Sequence, residues 1–245
     1  MIKIENAYTV GWEAAIRGMR NPMNSWDKSD SFFVDLDGNG YDIRGNLFNV
    51  PPEFEGAVDV GKQDHELMMR LCKAGSSDAK FRRFIICYAD ITGPLYWLKE
   101  MDTYRMGVEK NSCSTMHKIT SKEFTPDDFS IEHLYDQEAR TAFGGIINTL
   151  NLIRDRYFEL KKAIGEAGFN PRNPRTPKSL WYHLIQLLPS SYNQRRTYMF
   201  SYEALSKIYR ERRNHKLDEW HQFCSWIESL PYSEIITLKE AKSDE

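Results

Sequence analysis

The chain has 245 residues, with 33 Lys and Arg against 35 Asp and Glu for a net charge of −2, and it is 41% hydrophobic and 13% aromatic. That apolar content excludes a disordered chain, and the balanced charge gives no general reason to expect nucleic-acid binding. A mean hydropathy of −0.60 and the lack of any apolar run near the ~20 residues of a membrane helix exclude a spanning segment.

A chain of this length buries roughly 70–75% of its unfolded surface and reads as a single domain over 1–245. The start, Met1-Ile2-Lys3-Ile4-Glu5-Asn6, lacks the apolar core of a secretory leader. Cys72, Cys87, Cys113 and Cys224 are scattered, with no Cys-x-x-Cys pair. A reduced, cytoplasmic protein with free thiols is expected, without a disulfide framework or a zinc site.

In chain order, residues 2–9 alternate as a strand and 11–20 read as a short helix. Residues 24–60 are dense in Asn, Asp, Gly and Pro, and Asp37-Gly38-Asn39-Gly40 is a turn signal; a hairpin-like insertion is expected there. A helix over 62–74 carries Leu67, Met68, Leu71 and Cys72 on one face and stops at Gly75. The run 81–91 reads as a buried strand, and Pro94 opens a helix over 95–105. Thr125-Pro126-Asp127-Asp128 has the form of an N-cap, a Pro at N1 and an acidic first turn.

Positions 146, 150, 153, 157, 160 and 164 are apolar or Tyr, which marks one long amphipathic helix ended by Gly165 and Gly168. The Pro-rich stretch 169–178 predicts a loop. A helix at 179–188, a strand at 194–202 and helices at 203–213 and 216–229 follow, the last burying Leu217, Trp220, Cys224 and Ile227. Helices dominate over a minority sheet, so the fold class is α+β, or α/β in the loose sense.

Several clusters bear chemistry. Asp35-Leu36-Asp37-Gly38-Asn39-Gly40 copies the start of a calcium loop, but Asp42 and Asn46 stand where an apolar residue and a bidentate Glu belong, so a tight turn is expected. The six histidines show no metal-ligand spacing, and no metal is expected. The polar run from Asn111 to Lys118 suits a phosphate site or equally a helix cap in a polar loop. Cys113 has His117 four residues on, but catalytic Cys–His pairs are brought together by folds rather than by sequence proximity. Arg195-Arg196 and Arg210-Glu211-Arg212-Arg213 are solvated cations or a grip on a base edge or phosphate.

Two segments together resemble the flavin-dependent thymidylate synthases. In the first, a helix ending in Leu71-Cys72-Lys73-Ala74-Gly75 precedes an apolar strand and a helix opened by Pro94-Leu95-Tyr96-Trp97. Asp102-Thr103-Tyr104 falls where the family carries Arg-His-Arg, and the family's seven-residue gap then leads to Ser112. In the second, Leu188-Pro189 leads to Ser201, and the next helix ends at Arg212-Arg213 before KLDEW.

The resemblance implies a small, mostly antiparallel sheet packed with several long helices, and a homotetramer. It implies reductive one-carbon transfer to C5 of a pyrimidine deoxynucleotide, dUMP, with FAD and a reduced folate. Carried over by position, Lys99, Ser112, Ser114, His117, Lys118, Arg212 and Arg213 are the substrate-binding candidates, and Arg212 is the catalytic one. Lys80, Tyr104, Arg105 and Ser201 are the flavin candidates. The lost Arg-His-Arg leaves His117 and Lys118, or Arg195 and Arg196, as cations to compensate. Two other readings fit the same residues: a flavin-dependent dUMP hydroxymethylase, and a non-catalytic nucleotide-binding or assembly protein of this fold.

Overall fold

A computed structural model describes residues 1–50, 57–167 and 175–239. The first half contains β1 (Lys3–Val10), α1 (Trp12–Arg20), β2 (Phe32–Val34), β3 (Gly40–Asp42), β4 (Leu47–Phe48), β5 (Val58–Asp59), α2 (Lys62–Ala74), β6 (Ile86–Pro94), α3 (Leu95–Met101), β7 (Val108–Ser112) and α4 (Thr115–Lys118). The second half contains α5 (Gln137–Ala167), α6 (Pro177–Leu187), β8 (Asn193–Ser201), α7 (Tyr202–Arg212), α8 (Asp218–Glu228) and α9 (Glu234–Thr237). The class is α+β, as the sequence indicates.

The main sheet has the order β1-β6-β8-β7. β8 runs antiparallel to both β6 and β7. Leu95 N bonds Tyr192 O at one end of the β6/β8 pair, while Tyr202 N bonds Ile85 O at the other. Likewise Cys113 N meets Arg195 O and Ser201 N meets Gly107 O along β7 and β8. By their contacts the residues group into two units. The first holds Met1–Ile4, Asp90–Thr103 and Asn111–Thr197; the second holds Glu5–Ala89, Tyr104–Lys110 and Tyr198–Glu245.

In the first unit, Ile147, Leu150 and Ile153 of α5 pack with Leu180 and Leu184 of α6 and with Ile119, Phe124 and Phe129. Truncating a fully buried Leu such as Leu150 in this cluster costs about 2–5 kcal/mol. In the second unit, Trp97's counterpart in size is Trp220, buried with Tyr198, Phe200, Tyr202 and Phe223. The same unit holds a second sheet of order β4-β3-β2-β5, with Phe33 opposite Tyr41. The sheet lies within the 24–60 stretch where a hairpin-like insertion is expected, and residues 51–56 of that stretch lie outside the described residues. Its tip is self-contained: one Asp35 side-chain oxygen accepts the amides of Asp37 and Asn39 at 2.9 and 2.8 Å. Those bonds, the Asn39 amide first, hold the Asp35 carboxyl below its usual range.

The insertion is anchored by a buried ion pair. Arg20 Nε lies 2.6 Å from Asp64 Oδ1, and Asp64 Oδ2 accepts from the Ser29 and Ser31 hydroxyls and the Asp30 and Ser31 amides. Both oxygens of a fully buried carboxylate are thereby engaged, which is the condition for keeping a charge inside.

Several sequence expectations shift. Residues 80–83 form a 3-10 turn and the strand starts only at Ile86. Phe81 and Ile85 are both buried and four apart, a helical spacing hidden inside a short apolar run. The helix after Pro94 stops at Met101 rather than 105, where Asp102 and Thr103 turn back onto Leu98 O and Glu100 O. Thr125 caps only a 3-10 turn, Pro126–Asp128. The long helix starts at Gln137 and passes through Gly165 to Ala167. Its buried face runs through Ile147, which is 7% exposed against 38% for Ile146.

Pro177 and Lys178 belong to α6, not to a loop, because Thr176 and Ser179 form a reciprocal capping box with Pro177 at the first helical position. The rest of the Pro-rich stretch, up to residue 174, lies outside the described residues. In the last long helix Leu217 is the half-buried N-cap, and Phe223 joins Trp220, Cys224 and Ile227 in the stripe. No helix among the described residues is long and apolar enough to cross a membrane, and no group of three or more metal-ligating side chains occurs among them.

Candidate functional site

In the second unit, β8 runs directly into α7, with Ser201 as N-cap: its hydroxyl accepts the Ala204 amide at 3.2 Å. Gly107, at φ +70°, passes so close that a Cβ there would lie 2.3 Å from Ser201 Oγ. At the other end of α7 stands Arg212. Leu205 and Ile208 are fully buried, and Arg212 follows them on the same side of the helix, half-buried.

Its Nε donates to Tyr104 Oη at 2.8 Å, and Tyr104 Oη donates to Glu211 Oε2 at 2.9 Å. The guanidinium carbon sits 4.8 Å from the centre of the Trp220 ring and 5.5 Å from that of Tyr104. A cation between two aromatic faces gains from their quadrupoles and loses rotational freedom. Burial pushes the Tyr104 phenol up, the Arg212 bond opposing it, so the phenol is neutral at ordinary pH and fills both hydrogen-bond roles. Arg213, one residue on, is exposed and lines a polar cavity of about 460 Å³ with His221, Glu228 and Lys239.

A larger cavity of about 660 Å³ opens in the same unit. Ser201 lines it; Lys80, Tyr104 and Arg105 are not part of its lining, and Lys80 and Arg105 are exposed. The wall instead carries Arg82, Arg83, Lys207 and Arg210, with Glu203 the one acid and Ile86, Met106 and Met199 as apolar surface. Arg82, Arg83 and Lys207 are not among the cations that the sequence motifs single out. The available signal was Lys207 and Arg210 three residues apart on one helix face, after an Arg-Arg pair that follows a glycine turn. Cys72 also lines this cavity, and burial pushes its thiol up to about 11, which leaves it protonated and inert.

In the first unit, Ser114 is half-buried and caps α4, its hydroxyl accepting the His117 amide at 3.2 Å. Ser114 thus acts as a helix cap within the 111–118 run. His117 and Lys118 are exposed on α4, Ser112 is exposed at the end of β7, and Lys99 is exposed on the last turn of α3. Cys113 is exposed, with its carbonyl held by Gln194 Nε2 at 2.7 Å.

Arg195 and Arg196, the candidate compensating cations, are both engaged by acids: Arg195 with Asp90 at 2.8 Å, Arg196 with Asp102 at 2.6 Å. Asp102 is thus one half of a salt bridge at the place where the resemblance expects an arginine.

No family model matches the sequence, and a search of curated proteins finds no match. Solved structures do match. A crystal structure of thymidylate synthase X from Helicobacter pylori with FAD and dUMP is 14% identical, with 96% of each chain covered and a TM-score of 0.60. A second structure of the flavin-dependent enzyme from the same organism, complexed with FAD and dUMP, is 14% identical, covers 96% of this chain and 95% of its own, and gives 0.57. The UMP/dUMP methylase PolB from Streptomyces cacaoi, bound with 5-Br dUMP, is 11% identical over 97% of this chain and 94% of its own, at 0.54. Across nearly its whole length, this chain has the fold of those proteins.

Proposed function

We propose that the protein is a flavin-dependent enzyme that modifies dUMP by reductive one-carbon transfer to C5, acting as a cytoplasmic homotetramer. The observation that carries this reading is Arg212, a guanidinium pre-oriented at a helix end by Tyr104 and Trp220. The fold shared with structures that hold FAD and dUMP supports it, and the four unpaired cysteines suit a reducing compartment.

The large cavity fits a flavin dinucleotide in kind: it joins a cationic wall to apolar side chains, and the buried Arg82 Nε has no hydrogen-bond partner among the described residues. When bound, the flavin supplies hydride and a reduced folate the one-carbon unit. The chain's own contribution is electrostatic. Arg212 donates to a carbonyl on the uracil edge and stabilises the negative charge that builds on the ring. Held by Tyr104, it makes that contact without reorganising first. Ser112, Ser114, Lys99, His117 and Lys118 serve the nucleotide, and Arg213 stands beside Arg212 as the second cation of the helix end. Of the flavin candidates, Ser201 serves the flavin from the wall of that cavity.

The test is optical and calorimetric. Protein that purifies yellow, or quenches the fluorescence of added FAD, and that binds dUMP with Arg212→Ala at least ten-fold weaker supports the reading (~1.4 kcal/mol). Colourless protein that leaves FAD fluorescence unchanged refutes the flavin. A monomer by light scattering at micromolar concentration refutes the tetramer.

A further inference from the structure

We propose that the cavity of the second unit is a diphosphate site for a nucleoside-diphosphate moiety, gripped by Arg83, Lys207 and Arg210 over a floor formed by the buried Arg82. The identification of that moiety with part of a flavin dinucleotide rests on the proposed function; the diphosphate site itself does not.

Charge makes the first argument. Four cations and one carboxylate line the cavity. The carboxylate is already neutralised: Arg82 Nη2 lies 2.7 Å from Glu203 Oε2, an ion pair at contact distance without the direction of a hydrogen bond. Arg83, Lys207 and Arg210 then remain as three positive charges, and no ion pair joins them to an acid among the described residues. Lys207 and Arg210 are three residues apart on α7, and the exposed stems of all three reach the same space. Like charges gathered around one concavity repel each other, and an anion with two or more negative charges relieves that repulsion.

Arg82 supplies a separate observation. Arg82 is 5% exposed and uses its other nitrogens on Ser206 Oγ at 2.9 Å and Ile235 O at 3.3 Å as well as Glu203. Its Nε is buried with no hydrogen-bond partner among the described residues. A buried guanidinium donor left without an acceptor is costly, and such orphans mark places where a ligand completes the structure. The α7 N-terminus adds little: the amides of Tyr202 and Ala204 are already taken by Ile85 O and Ser201 Oγ. The site is therefore built from side chains. Ile86, Met106, Met199 and Leu238 add the apolar surface a base or ring requires, so a nucleotide fits better than free phosphate.

The experiment is calorimetry on the full chain with ADP, inorganic pyrophosphate and adenosine, beside a parallel titration with FAD. ADP is expected to bind more tightly than either pyrophosphate or adenosine, and to weaken as salt rises. Arg83→Ala, Lys207→Ala and Arg210→Ala alter exposed side chains and leave the core intact; each is expected to weaken ADP about three- to ten-fold. ADP binding that ignores all three substitutions, or no ADP binding at millimolar concentration, overturns the proposal. Pyrophosphate binding as tightly as ADP overturns the nucleoside half of it. If FAD binds and the three variants affect neither FAD nor ADP binding, the flavin reading stands and this site falls. If ADP responds as expected while FAD does not bind, this site stands and the flavin reading falls.

Discussion

Replacing Tyr104 by Phe removes one oxygen and keeps the ring. That oxygen accepts the Nε proton of Arg212 at 2.8 Å and gives its own to Glu211 at 2.9 Å. A hydrogen bond to a charged group contributes about 1.5–3 kcal/mol, and Arg212 is only half-buried, so the low end applies. About 1.4 kcal/mol is one decade of affinity. Tyr104→Phe is therefore expected to weaken dUMP roughly ten-fold. It should leave the melting temperature within a few degrees of wild type, because the edge-on contact of its ring with Trp220, 6.1 Å between centroids, is kept. Trp220→Ala is the contrasting variant: it empties a fully buried site and costs about 3–5 kcal/mol of stability. Calorimetric titration and thermal melts on the same preparations separate the two effects. Wild-type affinity in Tyr104→Phe refutes the positioning argument, and so does a melting loss as large as that of Trp220→Ala.

Asp64→Asn keeps the shape but strands the Arg20 charge, and should destabilise the chain by about 3–5 kcal/mol in urea titrations; a loss below ~1 kcal/mol would show that the pair is not the anchor. One thiol per native chain should react with a disulfide reagent and four after denaturation, since Cys72, Cys87 and Cys224 are buried with thiols pushed up to about 11, 12 and 11. Cys113→Ala should retain most turnover, because hydride transfer needs no thiol nucleophile; its complete loss in folded protein would favour thiol chemistry. Ser112→Ala should raise the nucleotide KM about ten-fold with kcat little changed, and an equal fall in kcat would assign it to the chemical step instead.

The Asp42 carboxyl lies at about 2, its burial pushing it up but the bonds from Asn46 and Arg44 prevailing. A carboxyl depressed in the fold adds stability above pH ~4 that is lost as pH falls to about 2, so Asp42→Asn should flatten that part of the acid-unfolding curve. An unchanged curve would show that these bonds persist in the unfolded chain.

Most elements were legible because their signals are local. The stripe of α2, the turn at Asp37-Gly38 and the Pro94 helix start each depend on residues within one or two turns of chain. What escaped depends on distant partners. Phe81 reads as strand until it is seen buried beside α1, and Arg82 reads as a surface cation until Glu203 and Ser206, more than a hundred residues away, close around it. The inward turn of Arg212 follows from helical period alone. Its bond to Tyr104 does not, because that is a long-range pairing that no spacing rule reaches. Capping chemistry was the other gap, since Thr176 and Ser179 turn a proline that looks like a loop into the first residue of a helix.

The distribution of thiols makes the native chain a ready subject for distance measurement by energy transfer. Cys113, in the first unit, is the one exposed cysteine, and the other three are shielded from a maleimide dye. Leu36, in the second unit, stands fully in solvent at the self-contained Asp35 turn, so Leu36→Cys gives up no packing. A donor and an acceptor at these two positions would report, one molecule at a time, whether the spacing of the two units changes when a nucleotide is added.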